Sequence, residues 1–180
     1  YHFRVAVGAV MHRRIDVRIF PEFRGKTSIS RLRLVVQKTL ETVKEPTKAS
    51  VSLVITDDDT VQELNKSYRG LDETTDVLAF AFNHPGHYEG NNKPPTMLED
   101  PFVTIANTNS FLGEVIVSYP QCERQAQTKK HSIEDELNLL VAHGVLHLVG
   151  YDHYTDDEER IMQELEVSTL TKLGSKRKTL

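Results

Sequence analysis

Residues 143–153 read HGVLHLVGYDH and bring three imidazoles into metal-ligating spacing. His143 and His147 are four residues apart, so on a helix they lie one turn apart on the same face. Gly150 supplies a helix end, because glycine takes the left-handed conformation without a Cβ penalty. His153 follows three residues later, where a turning chain can bring it back over the pair. Three neutral imidazoles leave a tetrahedral metal one open position, the geometry of a catalytic rather than a structural site. The flanking residues Leu139, Leu140, Val141, Ala142, Val145, Leu146, Leu148 and Val149 make this half of the helix apolar almost all round, hence buried. One histidine in such a setting would be a hydrogen-bonded core residue. Three unpaired imidazoles are costly to bury, so the spacing favours a metal.

The histidines and the glycine also match the H-x-x-x-H-x-x-G-x-x-H arrangement of metzincin proteases. Those enzymes carry Glu directly after the first ligand as general base. This chain has Gly144 there, which disfavours peptide hydrolysis by that route. A helical glycine costs about 1 kcal/mol relative to Ala. The expectation is that its missing side chain leaves room beside the metal for a bulky anion such as phosphate.

The same run resembles the signature H-G-x-L-H-L-x-G-Y-D-H of the YbeY family, bacterial and organellar endoribonucleases of ribosomal RNA maturation. Every specified position is present, from His143, Gly144, Leu146, His147 and Leu148 to Gly150, Tyr151, Asp152 and His153. Leu64-Asn65-Lys66-Ser67-Tyr68-Arg69, then Asp72 and Thr75-Asp76-Val77-Leu78, is similar to the family's L-N-x-x-Y-R…D…T-D-V-L-S-F stretch. Leu112-Gly113-Glu114-Val115-Ile116 is similar to its L-G-D-I block. Ala79 replaces the usual Ser and Glu114 the usual Asp; both are small changes. The resemblance spans about residues 15–170.

The resemblance implies zinc-dependent cleavage of single-stranded RNA in ribosomal RNA processing and ribosome biogenesis. His143, His147 and His153 would hold one Zn2+, although three imidazoles also accept Ni, Cu or Fe. His143, His147 and Arg69 would form the catalytic set. Arg69 is the candidate phosphate clamp, because a guanidinium pairs with phosphate oxygens in a bidentate fork. The competing reading of Arg69 is an ordinary ion pair to Asp72 or Asp76. Asp152 reads either as a carboxylate orienting a ligand histidine or as a turn residue after Gly150. Asp76 is a further candidate for supporting the site or touching substrate. The implied partners are single-stranded ribosomal RNA and the small ribosomal subunit or its proteins, in a bacterial cytoplasm or an organelle. The alternatives are a ribosome-assembly factor whose metal only stabilises the fold, and a metzincin-like peptide hydrolase.

The rest of the chain must position these groups. With 180 residues, 38% hydrophobic and 27% charged, it has the composition of one globular domain, placed at residues 11–175. No apolar stretch reaches the ~20 residues of a membrane span. The single Cys122 rules out an internal disulfide framework and suits a reducing compartment, as a small apolar residue on a helix. The net charge of −4 conceals a division: residues 1–50 carry 11 Lys/Arg against 4 Asp/Glu, residues 51–100 carry 3 against 10. Arg13, Arg14, Arg18, Arg31, Arg33 and Lys38 therefore offer either a local phosphate-attracting surface or a solvated helix face. No aromatic cluster accompanies them, so sequence-specific readout of bases has no support.

The expected fold is α+β, a small mixed sheet of about four strands packed with about five helices, the histidine helix central. Residues 15–20 alternate as a strand. Ser28 or Ser30 opens a helix with Ile29, Leu32, Val36, Leu40 and Val43 at helical spacing, ended by Pro46. Residues 51–55 form a second strand, expected parallel to the first by the β-α-β rule. Asp58 or Asp59 caps a helix through Tyr68. Residues 77–82 and 114–118 are two more strands. Pro120 suits the first turn of the next helix. Ser132 with Asp135 opens the histidine helix, and Thr155 with Glu158 opens a last one through about Leu173. Residues 83–110 hold four of the seven prolines and read as an inserted surface loop, whose His84 and His87 are weaker metal candidates. Residues 1–10 read as a leader remnant, an added segment or a processed extension. Residues 176–180 read as a solvated basic tail within reach of RNA backbone.

Overall fold

The computed structural model describes residues 13–46, 48–82 and 110–175. The proposed terminal extensions, most of the insertion, and His84 and His87 lie outside the described residues. Strand β1 (Ile15–Ile19) and helix α1 (Ile29–Thr42) lead into β2 (Ser50–Thr56), which pairs parallel with β1 in the register Ile15↔Val51. Of the two serines offered as caps, Ser28 serves, its hydroxyl accepting from the Arg31 amide. Helix α2 (Asp58–Arg69) follows, then β3 (Val77–Ala81) and β4 (Phe111–Ser118). The sheet has the order β1-β2-β4-β3, with β4 parallel to β2 and β3 antiparallel at the edge. Helices α3 (Tyr119–Lys129), α4 (Ile133–Leu148) and α5 (Asp156–Lys172) complete the described fold. This is the expected α+β arrangement of four strands and five α-helices, with one added 3-10 turn at Pro21–Phe23.

Strand alternation sends side chains to opposite faces and so builds two cores. Leu53, Ile55, Val115 and Val117 face α1 and α4, where Leu32, Val36, Leu40, Val141, Ala142 and Val145 are fully buried. Val54, Leu78 and Ile116 face the other way, against Val61 and Leu64 of α2. Helix α4 is central, packing on α1, α3, α5, β3 and β4. Its apolar circumference follows from that position.

The α2 cap shifts by one residue, the basic face of α1 is refined, and the reading of Cys122 as a small apolar helix residue holds. Helix α2 is capped by Asp57, whose carboxylate accepts from the Thr60 amide at 2.7 Å; Asp58 and Asp59 lie inside its first turn, where negative charge still suits the helix dipole. Asp58 is used elsewhere, receiving both the Ser118 hydroxyl and the Arg124 guanidinium. The basic residues of α1 are largely tied into the fold. Arg31 donates to the Leu173 carbonyl at 3.2 Å and pairs with Glu134 at 3.0 Å, Arg33 donates to the Ile15 carbonyl at 3.1 Å, and Lys38 pairs with Glu41 at 2.8 Å. Cys122 is fully buried, and burial pushes its thiol up to about 12, which removes it as a nucleophile or metal thiolate near neutral pH.

Candidate functional site

The site begins with the end of α4. Gly150 takes φ +90° and its amide donates to the His147 carbonyl at 3.0 Å, while the Tyr151 amide donates to the Leu146 carbonyl at 3.1 Å. This pair of bonds is a Schellman ending, and it reverses the chain over the last helical turn. His153 is thereby returned to the α4 pair, its ring centroid 5.4 Å from that of His143 and 5.1 Å from that of His147. One ligating atom from each of the three histidines lies within 4.8 Å of the others. His143 Nε2 and His147 Nε2 are 3.1 Å apart. Two nitrogens of a tetrahedral site with bonds near 2.1 Å stand about 3.4 Å apart, so the pair fits one shared ion. The donor set fits zinc or another transition metal that accepts imidazole.

The electrostatics agree with that use. Burial, reinforced by the neighbouring His143, lowers the His147 pKa to about 4. His147 is therefore a neutral lone-pair donor at neutral pH, the state a metal requires. Behind the ligands stand two carboxylates of different quality. Glu166 Oε1 on α5 is 2.8 Å from His143 Nδ1, and the Glu166 side chain is only 6% exposed. Asp152 Oδ1 is 3.9 Å from His147 Nδ1, too long for a hydrogen bond, and accepts from the His153 amide at 2.9 Å. Of the two readings offered for Asp152, the turn role is thus directly visible, and its link to a ligand is ionic at most. Glu166 was not anticipated. Its signal was a carboxylate sharing the apolar face of α5 with Met162 and Leu170, all three buried.

Gly144 does not do what its absent side chain suggested. It faces the sheet, where an added Cβ would lie 2.5 Å from Val115 Cγ1 and 3.1 Å from Val77 Cγ2. The glycine lets α4 approach β3 and β4 closely, and it opens no room beside the three histidines. Gly144→Ala is expected to destabilise by up to about 2 kcal/mol, because overpacking costs about 1–3 kcal/mol and the helix-propensity gain offsets about 1 kcal/mol of it. Urea unfolding of the variant checks this. Adding Val115→Ala should then cost less in Gly144→Ala than in the parent, and strictly additive midpoints would contradict the contact.

Arg69 is half-buried on the last turn of α2, on the opposite face of the sheet from the histidines. The two elements nevertheless finish at the same end of the sheet. Tyr68 packs edge-on against Phe80 at 5.3 Å, and Leu148 sits over Gly113, on the strand residue paired with Ala81. Arg69 and the histidines therefore flank the same end of the edge strand β3. The L-N-x-x-Y-R block explains how Arg69 is held: Leu64 packs in the second core, and buried Asn65 donates to the Glu73 carbonyl at 2.8 Å while its own carbonyl receives the Gly70 amide. Asp72 is engaged by Lys66 at 2.6 Å. Asp76 accepts from the Val77 amide at 2.8 Å and from Gln125 of α3 at 2.9 Å, so these bonds fasten the start of β3 to α3 rather than reaching the histidines. Glu114 lies on the α2 side of the sheet, where Ser52 donates to it at 2.7 Å and burial pushes its carboxyl pKa up.

Comparison with known proteins gives a consistent answer. A family model described as Endoribonuclease YbeY matches residues 21–174. A Dehalococcoides mccartyi protein named endoribonuclease YbeY is 40% identical over 158 residues, covering 88% of this chain and 88% of the relative. A protein of the same name from Halalkalibacterium halodurans is 44% identical over 124 residues, covering 69% of this chain and 72% of its own. The solution structure of TM1509 from Thermotoga maritima is similar with a TM-score of 0.52 at 25% identity, over 89% of this chain and 91% of that one.

Proposed function

This chain belongs to the endoribonuclease YbeY family, and we propose that it hydrolyses phosphodiester bonds of single-stranded RNA at a zinc centre formed by His143, His147 and His153, in the maturation of ribosomal RNA. The observation that carries this reading is the convergence of one ligating nitrogen from each of the three histidines within 4.8 Å, where the chain turns back over the end of α4. His143, His147 and His153 would hold a divalent ion as neutral imidazoles, and such an ion would supply an uncompensated positive charge toward phosphate and acidify water. The protein supplies the rest. Burial keeps His147 unprotonated and ready to bind. Asp152 fixes the turn that returns His153. Arg69, at the same end of β3, neutralises a neighbouring phosphate of a strand passing over that edge. Its partners in this reading are ribosomal RNA and the small ribosomal subunit. No helix among the described residues is long and apolar enough to cross a membrane, and the bacterial relatives support a cytoplasmic or organellar place of action.

The position after His143 carries no carboxylate, and Gly144 packs against Val115, so α4 lacks the base of a metzincin peptidase. A substrate panel tests the proposal. A single-stranded oligoribonucleotide, the same sequence as a duplex, its DNA counterpart and a peptide library are each incubated with the purified protein, with chelator and after zinc is restored. The single-stranded RNA alone should be cut, with loss on chelation and recovery on zinc addition. Peptide cleavage would support the hydrolase alternative. A zinc-stabilised protein that cuts nothing would support the assembly factor.

A further inference from the structure

We propose that Glu166 is the positioning residue of the metal centre: its buried carboxylate accepts the Nδ1 proton of His143 and so holds Nε2 of that ring toward the ion. The proposal rests on reading the three histidines as metal ligands. A neutral imidazole carries one proton, and a proton held on Nδ1 leaves the lone pair on Nε2. The geometry has that sense, with Glu166 Oε1 2.8 Å behind Nδ1 and His147 Nε2 3.1 Å in front of Nε2. A carboxylate behind a ligand histidine fixes its tautomer and orientation and raises its basicity.

The two carboxylates near the ligands divide the work unequally. Asp152 is 35% exposed and 3.9 Å from its histidine, while Glu166 is 6% exposed and in hydrogen-bond contact. Charge–dipole interactions are less screened in the drier position. Glu166 is also held on a firmly seated helix. A capping box of Thr155 and Glu158 starts α5. At its other end Thr169 donates to the Thr42 hydroxyl at 3.3 Å, Lys172 donates to the same oxygen at 2.8 Å, and Arg31 reaches the Leu173 carbonyl. Helix α5, which contributes no ligand, therefore sets the orientation of one. Glu166 shares the buried face of α5 with Met162 and Leu170, so its carboxylate carries a desolvation cost that the bond to His143 helps to offset.

Glu166→Leu removes both the acceptor and the charge; Glu166→Gln keeps an acceptor carbonyl and removes the charge. Zinc affinity, measured by competition with a chromophoric chelator, should fall about 10–100-fold in Glu166→Leu, with a smaller loss in Glu166→Gln. Ring 15N shifts of the zinc-loaded parent should show His143 protonated at Nδ1 and ligated through Nε2, and that signature should broaden or shift in Glu166→Leu. With chelator present, thermal unfolding of both variants is read beside the affinities, and a loss of zinc binding larger than the loss of metal-free stability separates a positioning role from a merely structural one. A Glu166→Leu affinity within twofold of a tightly binding parent would overturn the proposal while leaving the centre intact. If leucine disturbs α5, unchanged affinity and unchanged 15N shifts in Glu166→Gln would overturn it equally. A parent that binds no zinc would overturn the metal centre itself and the proposal with it. None of these readouts depends on nuclease activity.

Discussion

His147→Ala is expected to abolish metal retention and RNA cleavage together, with zinc affinity falling by up to about 10³-fold and the cleavage rate falling to background. Structural zinc sites with four protein ligands bind with about 10–16 kcal/mol, so each ligand is worth roughly 2.5–4 kcal/mol, up to about a thousandfold. The fold should survive the change. His147 is on the last turn of α4, its side chain is 25% exposed, and its neighbours Leu146 and Leu148, not the imidazole, carry the packing. Removing a ring that burial holds uncharged also removes a group that resists folding at low pH. Its pKa is lowered in the folded chain, so its contribution to instability grows as pH falls below the ordinary histidine value. Metal content by atomic emission, cleavage rate and unfolding with chelator are read on the same preparation. Retained zinc with lost cleavage would mean that His147 is not a ligand.

The second large effect is expected at Arg69. Arg69→Ala should lower cleavage about 10²-fold while zinc stoichiometry and affinity stay within twofold of the parent, because the side chain is separated from the ligands by β3. A bidentate guanidinium–phosphate pair is stronger and more directional than an ammonium contact, so Arg69→Lys should recover only part of the rate. The loss should appear chiefly as weaker substrate binding that worsens with salt, as phosphate contacts do. Loss of zinc alongside activity would make Arg69 a structural residue. An unchanged rate would remove it from substrate handling.

What the sequence disclosed, and what it withheld, divides along physical lines. Local periodicity and capping were legible: the β-α-β start, the Ser28, Ser132 and Thr155 caps and the glycine ending of α4 are decided by residues within a few positions of one another. The three histidines were legible for the same reason, since one helical turn and one reversal bring them together. Direction was not. Periodicity could place Gly144 on α4 but could not say that it faced Val115 rather than the metal, because that depends on how close the helix approaches the sheet. Glu166 was only partly legible: its spacing from Met162 and Leu170 places it on the apolar face of α5, but 23 residues separate it from His143, and helical spacing does not name that partner. Arg31 and Arg33 looked like a basic surface until their backbone partners at Leu173 and Ile15, remote in sequence, appeared. The cap of α2 fell one residue early because three consecutive aspartates can each serve, and only backbone angles choose Asp57.

Whether these histidines form a metal-dependent RNA-cleaving centre is tested most directly by a zinc titration of the metal-free protein. Cleavage of a single-stranded ribosomal RNA fragment and bound zinc are followed in the same samples, beside His147→Ala prepared identically. Cleavage should rise with zinc, saturate at one ion per chain, and stay at background in the variant. Full cleavage before zinc is added, or equal cleavage by parent and variant, would contradict such a centre.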